Sequence, residues 1–153
     1  MVKNRKRRTF IARLAALLAL PFAAPWPARA QSEPVDVLLR KVTGGASVRR
    51  GRVKLDLPVL AENGNSVSLK VSVDSPMSAS DFVKSIHLYA ERNPRPNIAN
   101  FYLNPRAGRA QISTRVRLAG TQQVLAVAAL SDGSFWSGTA DVNVTNSSCY
   151  DDS

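Results

Sequence analysis

The chain is predicted to be all-β, an immunoglobulin-like antiparallel β-sandwich with an N-terminal export signal and a flexible C-terminal arm. Three observations carry this prediction. Apolar residues alternate with polar ones at period two through most of residues 53–145. Clusters of Gly, Pro, Asn, Asp and Ser punctuate that alternation at short intervals. A helical period is found in the mature chain at one short stretch only, so no helix interrupts the succession of strands.

The first thirty residues stand apart from the rest. "MVKNRKRRTFIARLAALLALPFAAPWPARAQ" opens with a basic run, continues as an apolar stretch from Leu14 to Pro27, and ends in the small-residue pattern Ala28-Arg29-Ala30. This is the layout of an export signal, with cleavage expected after Ala30. The apolar stretch is shorter than the roughly 20 residues a bilayer-spanning helix needs, so no membrane span is expected in the mature chain. Within it Arg7 and Arg8, followed by Phe10 and Ile11, fit the twin-arginine pattern. A general secretory signal with an arginine-rich start is the alternative, and both lead to a periplasm or an equivalent compartment.

That leader also explains the charge. The formal net charge is +10, yet seven of the 21 basic residues and none of the 11 acidic ones lie in residues 1–30. Fourteen basic against eleven acidic residues remain, too small an excess to track a phosphate backbone, so nucleic acid is not expected as a partner.

After the leader, residues 33–42, "EPVDVLLRKV", place Val35, Leu38, Leu39 and Val42 on one side of a short helix. The following "TGGASVRRG" reads as a mobile connection with Arg49, Arg50 and Arg52 solvated, so that residues 31–52 form a helix and linker ahead of the sandwich. Strands then follow from alternation: Val53, Leu55 and Leu57; Val67, Leu69, Val71 and Val73; Ile112, Thr114, Val116 and Leu118; Ala140, Val142 and Val144. The runs at 83–90 and 123–130 are more continuously apolar and suit strands covered on both sides or lying near the centre of a sandwich. Turns are expected at 62–65, 74–78, 93–97, 104–108, 119–121 and 131–134. The last strand should end near Val144 or Thr145, leaving residues 146–153 as the arm.

Few residues offer chemistry. His87 is the sole histidine and reads as a partly exposed strand residue, so neither a histidine cluster for a metal nor a Cys-His dyad is expected. No glycine-rich phosphate loop appears, and no cofactor is expected. Asp151 and Asp152 are adjacent at a chain end and read as a solvated tail. The strings "NVT" and "NSS" match the glycosylation pattern by chance in a chain with a bacterial-style leader. Tyr89, Phe101, Tyr102, Phe135 and Trp136 are candidates for partner contact, though strand aromatics are usually core, and none is assigned a role. There remains Cys149, the only cysteine, four positions from the C-terminus. An unpaired thiol in an oxidising compartment points to intermolecular pairing or to reactivity.

The phrases "LPVLAENGNSV", "VSVDSPM", "VKSIHLYAERNP" and "STRVRLAGTQ" resemble the SoxY family, sulfur-carrier subunits of the periplasmic thiosulfate-oxidising Sox system. The resemblance covers nearly the whole mature chain and agrees with a twin-arginine leader. It implies a β-sandwich paired with a second small sandwich protein, SoxZ, and a single cysteine near the C-terminus on a Gly-Gly-Cys-Gly-Gly arm. By that resemblance Cys149 is the attachment point for sulfur. A c-type cytochrome conjugates thiosulfate to it, a hydrolase releases sulfate, and the chain itself is a carrier and not an enzyme.

The arm departs from the family pattern. It reads Ser147-Ser148-Cys149-Tyr150-Asp151-Asp152-Ser153, with every flanking glycine replaced and a longer, bulkier end. Glycine suits an arm that enters narrow sites because it lacks a side chain and tolerates most backbone angles. An unperturbed thiol, of pKa about 8.5, is only a few per cent ionised at neutral pH, and neighbouring carboxylates oppose further ionisation. Two functions therefore stand: a covalent sulfur carrier using Cys149, and a non-carrying SoxY-like interaction module in which Cys149 is incidental or joins an intermolecular disulfide.

Overall fold

The computed structural model describes residues 33–146. One helix and nine strands follow in order: α1 (Val35–Thr43), β1 (Val48–Arg50), β2 (Val53–Asp56), β3 (Leu60–Asn63), β4 (Val67–Val73), β5 (Val83–Ala90), β6 (Asn97–Tyr102), β7 (Gln111–Val116), β8 (Gln122–Leu130) and β9 (Phe135–Asn146). A single 3-10 turn, Pro105–Ala107, joins β6 to β7, and the Asn104 side chain accepts the Arg106 N–H.

Helix α1 forms where the apolar spacing places it. Val35, Leu38, Leu39 and Val42 are half-buried, whereas Asp36, Arg40 and Lys41 are exposed. Asp36 in the first turn and Arg40 and Lys41 in the last complement the helix dipole. The helix stops at Gly44, which adopts the left-handed conformation at φ 62° and returns its N–H to the Arg40 carbonyl.

The strands divide into two sheets. One has the order β1-β9-β8-β5-β6, with β3 also paired to β9; the other has the order β2-β4-β7. Period-two alternation puts Val67, Leu69, Val71 and Val73 of β4 on the inner face of the small sheet. From the large sheet, Ile86 and Leu88 of β5 face them together with Val124, Ala126 and Ala128 of β8 and Val142 and Val144 of β9. All of these are nearly or fully buried. At about 25 cal/mol per Å² of apolar surface, this layer is the main favourable term in folding. Among the described residues no helix is long and apolar enough to cross a membrane.

The sheets are not purely antiparallel. β8 pairs antiparallel with both β5 and β9, as expected, but β1 and β3 each run parallel to β9. The cause is connectivity: the chain leaves the small sheet after Asp56, passes Pro58, and comes alongside the far half of β9 before turning back into β4. Parallel pairing of short segments leaves no periodic trace of its own in a sequence.

The "TGGASVRRG" connection is likewise more ordered than expected. Val48, Arg49 and Arg50 pair with Phe135, Trp136 and Ser137, and the Ser137 hydroxyl donates to the Arg49 carbonyl at 3.3 Å. Arg49 and Arg52 are not simply solvated. Their guanidinium carbons lie 5.6 and 5.7 Å from the Trp136 ring centre, within cation–π range. Arg52 also donates to the Asp74 carbonyl at 2.8 Å. Stacking on an aromatic holds the stems of Arg49 and Arg52 against the protein.

The sheets meet most closely at Gly138. A Cβ there would lie 2.2 Å from the Val53 carbonyl oxygen and 3.1 Å from Leu55 Cδ1, so β2 crosses β9 only because position 138 has no side chain. Gly138→Ala is expected to cost about 3 kcal/mol, the upper end of overpacking, and to lower Tm by about 10 °C or more in a thermal melt.

Candidate functional site

Strand β9 is the element that leads toward the cysteine. It is 12 residues long and ends at Asn146, three residues before Cys149. Cys149 and its neighbours Tyr150, Asp151 and Asp152 lie outside the described residues. So do the leader residues Arg7, Arg8, Phe10, Ile11 and Ala30. The described site is therefore the seat from which residues 147–153 depart.

That seat is held from three directions. β3 runs beside the end of β9, with Leu60 opposite Asn143, Ala61 opposite Val144 and Asn63 opposite Asn146. The Asn143 N–H donates to the Val59 carbonyl at 2.9 Å, and the Thr145 hydroxyl donates to the Glu62 carbonyl at 2.9 Å. From the β7–β8 turn, Thr121 Oγ1 accepts the Val144 N–H at 2.9 Å. Gly64 closes the seat: its N–H donates to the Asn146 carbonyl at 2.8 Å, and its own carbonyl accepts the Leu118 N–H at 2.8 Å. The last residue of β9 is thus fixed at its carbonyl by a backbone contact.

Gly64 occupies this position because nothing larger fits. A Cβ would stand 2.4 Å from the Leu118 carbonyl oxygen, 3.0 Å from Val144 Cγ1 and 3.1 Å from the Asn146 carbonyl oxygen. The "ENGN" segment was expected as a turn, and it is one; that its glycine grips the end of the last strand has no sequence signal apart from being glycine.

Two buried amides brace the same end of the molecule. Asn93 Nδ2 donates to the Arg117 carbonyl at 2.8 Å, while Asn93 Oδ1 accepts the Ala119 N–H at 2.9 Å and the Gln122 side-chain amide at 3.0 Å. Gln122 Oε1 in turn accepts the Arg92 N–H at 3.0 Å. The β5–β6 turn and the β7–β8 turn are thereby joined through polar groups that burial would otherwise penalise.

The second concentration of polar groups is on β5 and β6. His87 is buried, not partly exposed: Nδ1 pairs with Asn100 Oδ1 at 2.7 Å and Nε2 with Ser85 Oγ at 3.0 Å. The reason is its place on a central strand, flanked by β6 and β8, where even the side chains pointing away from the core are covered. Tyr102, 79% exposed on the open edge strand, meets the His87 ring edge-on at 6.2 Å between centres. Tyr89 is 1% exposed and its hydroxyl has no hydrogen-bond partner among the described residues. Burial raises the Tyr89 pKa above the ordinary 10.0, and the nearby Tyr102 adds to the rise. Of the aromatic candidates, Tyr89 is interior, and Phe101 and Trp136 pack partly on the core.

Among the described residues no group of three or more His, Cys, Asp and Glu side chains is placed to hold a metal ion. An open depression of about 470 Å³ lies over the small sheet beside Asp56, Lys70 and Arg115. What the described residues build is a scaffold that seats the end of its last strand.

Comparison with known proteins then gives the family. Residues 39–149 match the family described as sulfur oxidation protein SoxY, and the match ends on Cys149. The chain belongs to the SoxY family. The fold is shared with the sulfur carrier protein SoxY from Chlorobium limicola f thiosulfatophilum, at 24% identity and a TM-score of 0.62, covering 72% of this chain and 96% of that one. It is also shared with a superoxide reductase (neelaredoxin) from Ignicoccus hospitalis, at 17% identity and a TM-score of 0.54, covering 61% of this chain and 80% of that one. The superoxide reductase from Nanoarchaeum equitans, 12% identical with a TM-score of 0.53, covers 63% of this chain and is itself covered completely. At these identities the likenesses are of fold. No curated protein matches the sequence.

Two outcomes follow. Gly64→Ala is expected to lower stability by about 2 kcal/mol and to speed amide exchange at Val144 and its neighbours, read by native-state hydrogen exchange. Tyr89→Phe removes a buried hydroxyl that bonds to nothing and should raise stability by about 1 kcal/mol. The pH dependence has a definite sign. In the wild type the folded Tyr89 stays protonated above pH 10 whereas the unfolded one ionises there, so stability falls as pH rises through that range. In denaturant titrations at pH 9 and 11, Tyr89→Phe should lose less stability than the wild type.

Proposed function

We propose that this chain is a covalent carrier of sulfur intermediates in thiosulfate oxidation, loaded at Cys149 on an arm formed by residues 147–153. The observation that carries the reading is the family match, which runs through the sandwich and ends on the chain's only cysteine. The seat at Asn146 supports it, because an arm that carries a thiol between sites needs a stable body to swing from.

The chemistry is a two-electron oxidation. The Cys149 thiol gives up its proton, a sulfur–sulfur bond forms to the outer sulfur of thiosulfate, and two electrons leave to a c-type cytochrome partner. The product is a cysteine S-thiosulfonate. Water then cleaves its S–SO₃ bond at a partner hydrolase, releasing sulfate and one proton and leaving a persulfide, Cys–S–SH, on the carrier. This chain's own part is to present the sulfur and move it between sites; the partner enzymes do the catalysis. A SoxZ-like subunit completes the carrier as a heterodimer. The export-signal layout of residues 1–30, with Arg7, Arg8, Phe10 and Ile11 as its twin-arginine pattern and cleavage after Ala30, supports work in the periplasm.

A second reading rests on the residues around the thiol. Tyr150, Asp151 and Asp152 narrow the arm's entry and oppose ionisation of Cys149, as expected of a SoxY-like interaction module that no longer carries sulfur. Intact mass separates the two. The mature chain, purified with its partner from thiosulfate-grown cells, should show sulfur or thiosulfate adducts that a thiol reductant removes and that are absent from Cys149→Ser. A bare thiol, or a disulfide-linked dimer alone, would establish the interaction module.

A further inference from the structure

The seat of the arm also determines where a loading partner has to touch this protein. Three Cα–Cα steps of 3.8 Å separate Asn146 from Cys149, so the Cys149 Cα stays within about 11 Å of the Asn146 Cα. Asn146 itself cannot advance to extend that reach: its carbonyl is held by the Gly64 N–H, and the two preceding residues are bonded to Thr121 and Glu62. A protein whose active site receives this sulfur must therefore bring its entrance against the surface surrounding Asn146.

That surface has an apolar part. Among the described residues the exposed large hydrophobic side chains are Val37, Val59, Leu60 and Tyr102, and two of them, Val59 at 76% and Leu60 at 58%, are neighbours here. Leu60 is directly opposite Asn143, about 10 Å along β9 from Asn146 at ~3.3 Å per residue. Leu60 is exposed because the alternation of β3 turns its neighbour Ala61 into the core instead, and Val59 lies just ahead of the strand. The strand thus spends its small residue inside and shows Leu60 to water, the reverse of what burial alone selects.

Resting on the carrier reading, we propose that Val59 and Leu60 are the anchor of a docking surface around Asn146, and that its occupant is the protein that loads Cys149, through an apolar rim at the mouth of its active site. The short chain between Asn146 and Cys149 makes the contact obligatory. Exposed Glu62, Asn63 and Thr145 form the polar border expected around such an anchor.

The test uses the mature chain with its partner subunit, thiosulfate and the thiosulfate-oxidising c-type cytochrome, with loading followed by intact mass. Leu60→Asp should lower kcat/KM for loading by about tenfold, the scale of a disrupted interface centre. Its Tm, and the rate at which Cys149 reacts with a small aromatic disulfide, should match the wild type. Tyr102→Ser, equally exposed on β6, should load normally. Equal loading of Leu60→Asp and wild type would overturn the docking surface and leave the carrier reading standing. Faster reaction of Leu60→Asp with the small disulfide, without slower loading, would also overturn it, by assigning the patch to the chain's own tail. A wild-type chain that gains no sulfur at all would overturn the carrier reading and this inference with it.

Discussion

Strand β9 must have both of its edges satisfied over 12 residues, and most of the architecture follows from how that is done. One edge is taken by β8 from Phe135 to Val142. The other is shared between β1 at its start and β3 at its end, in parallel, with β2 crossing at Gly138. Neither β1 nor β3 is long enough to persist alone, and each is a short piece of chain diverted between sheets to cover backbone groups that would otherwise be left unpaired. The sandwich is closed around this strand more than around any other.

The two ends of β9 are secured by different physics. At Phe135–Ser137 the backbone pairing with β1 is supplemented by arginines over an aromatic ring, with the Trp136 indole N–H anchored to Ser134 at 3.0 Å. Such contacts tolerate small displacements. At Val144–Asn146 they are backbone hydrogen bonds with two hydroxyls and a glycine that admits no Cβ, which fix position closely. This is the end nearer Cys149 in sequence, and the buried Asn93–Gln122 pair stiffens it further.

Much of this was legible beforehand. The alternation in β4 and at the end of β9 names the core residues correctly because each strand has one wet face, and the continuous apolar runs in β5 and β8 mark strands flanked on both edges. β1 and β3 were not legible. Three residues reading Val-Arg-Arg carry no period, and β3 places its large side chains outward, so its pattern points to the wrong face. His87 was misplaced for a related reason, since a residue's own polarity does not reveal that its strand is central. At the site, the cysteine stands out by its uniqueness and the family by its phrases. The residues that hold its strand, Gly64, Thr121, Asn93 and Gln122, resemble ordinary turn residues, because the groups they bind are backbone and have no signature in sequence.

β9 also separates two chemically unique side chains. The sequence contains two tryptophans, Trp26 in the leader and Trp136, and one cysteine. In a chain prepared without residues 1–30, Trp136 is the single strong ultraviolet emitter, located near the beginning of a strand that ends three residues before the single thiol. Ten residues at ~3.3 Å put the ring's backbone about 33 Å from Asn146. A dye coupled to Cys149 would therefore make the protein its own optical gauge, with an emitter fixed by two arginines at one end and an acceptor that reports, as a change in energy transfer, how far the tail has moved when another protein takes hold of it.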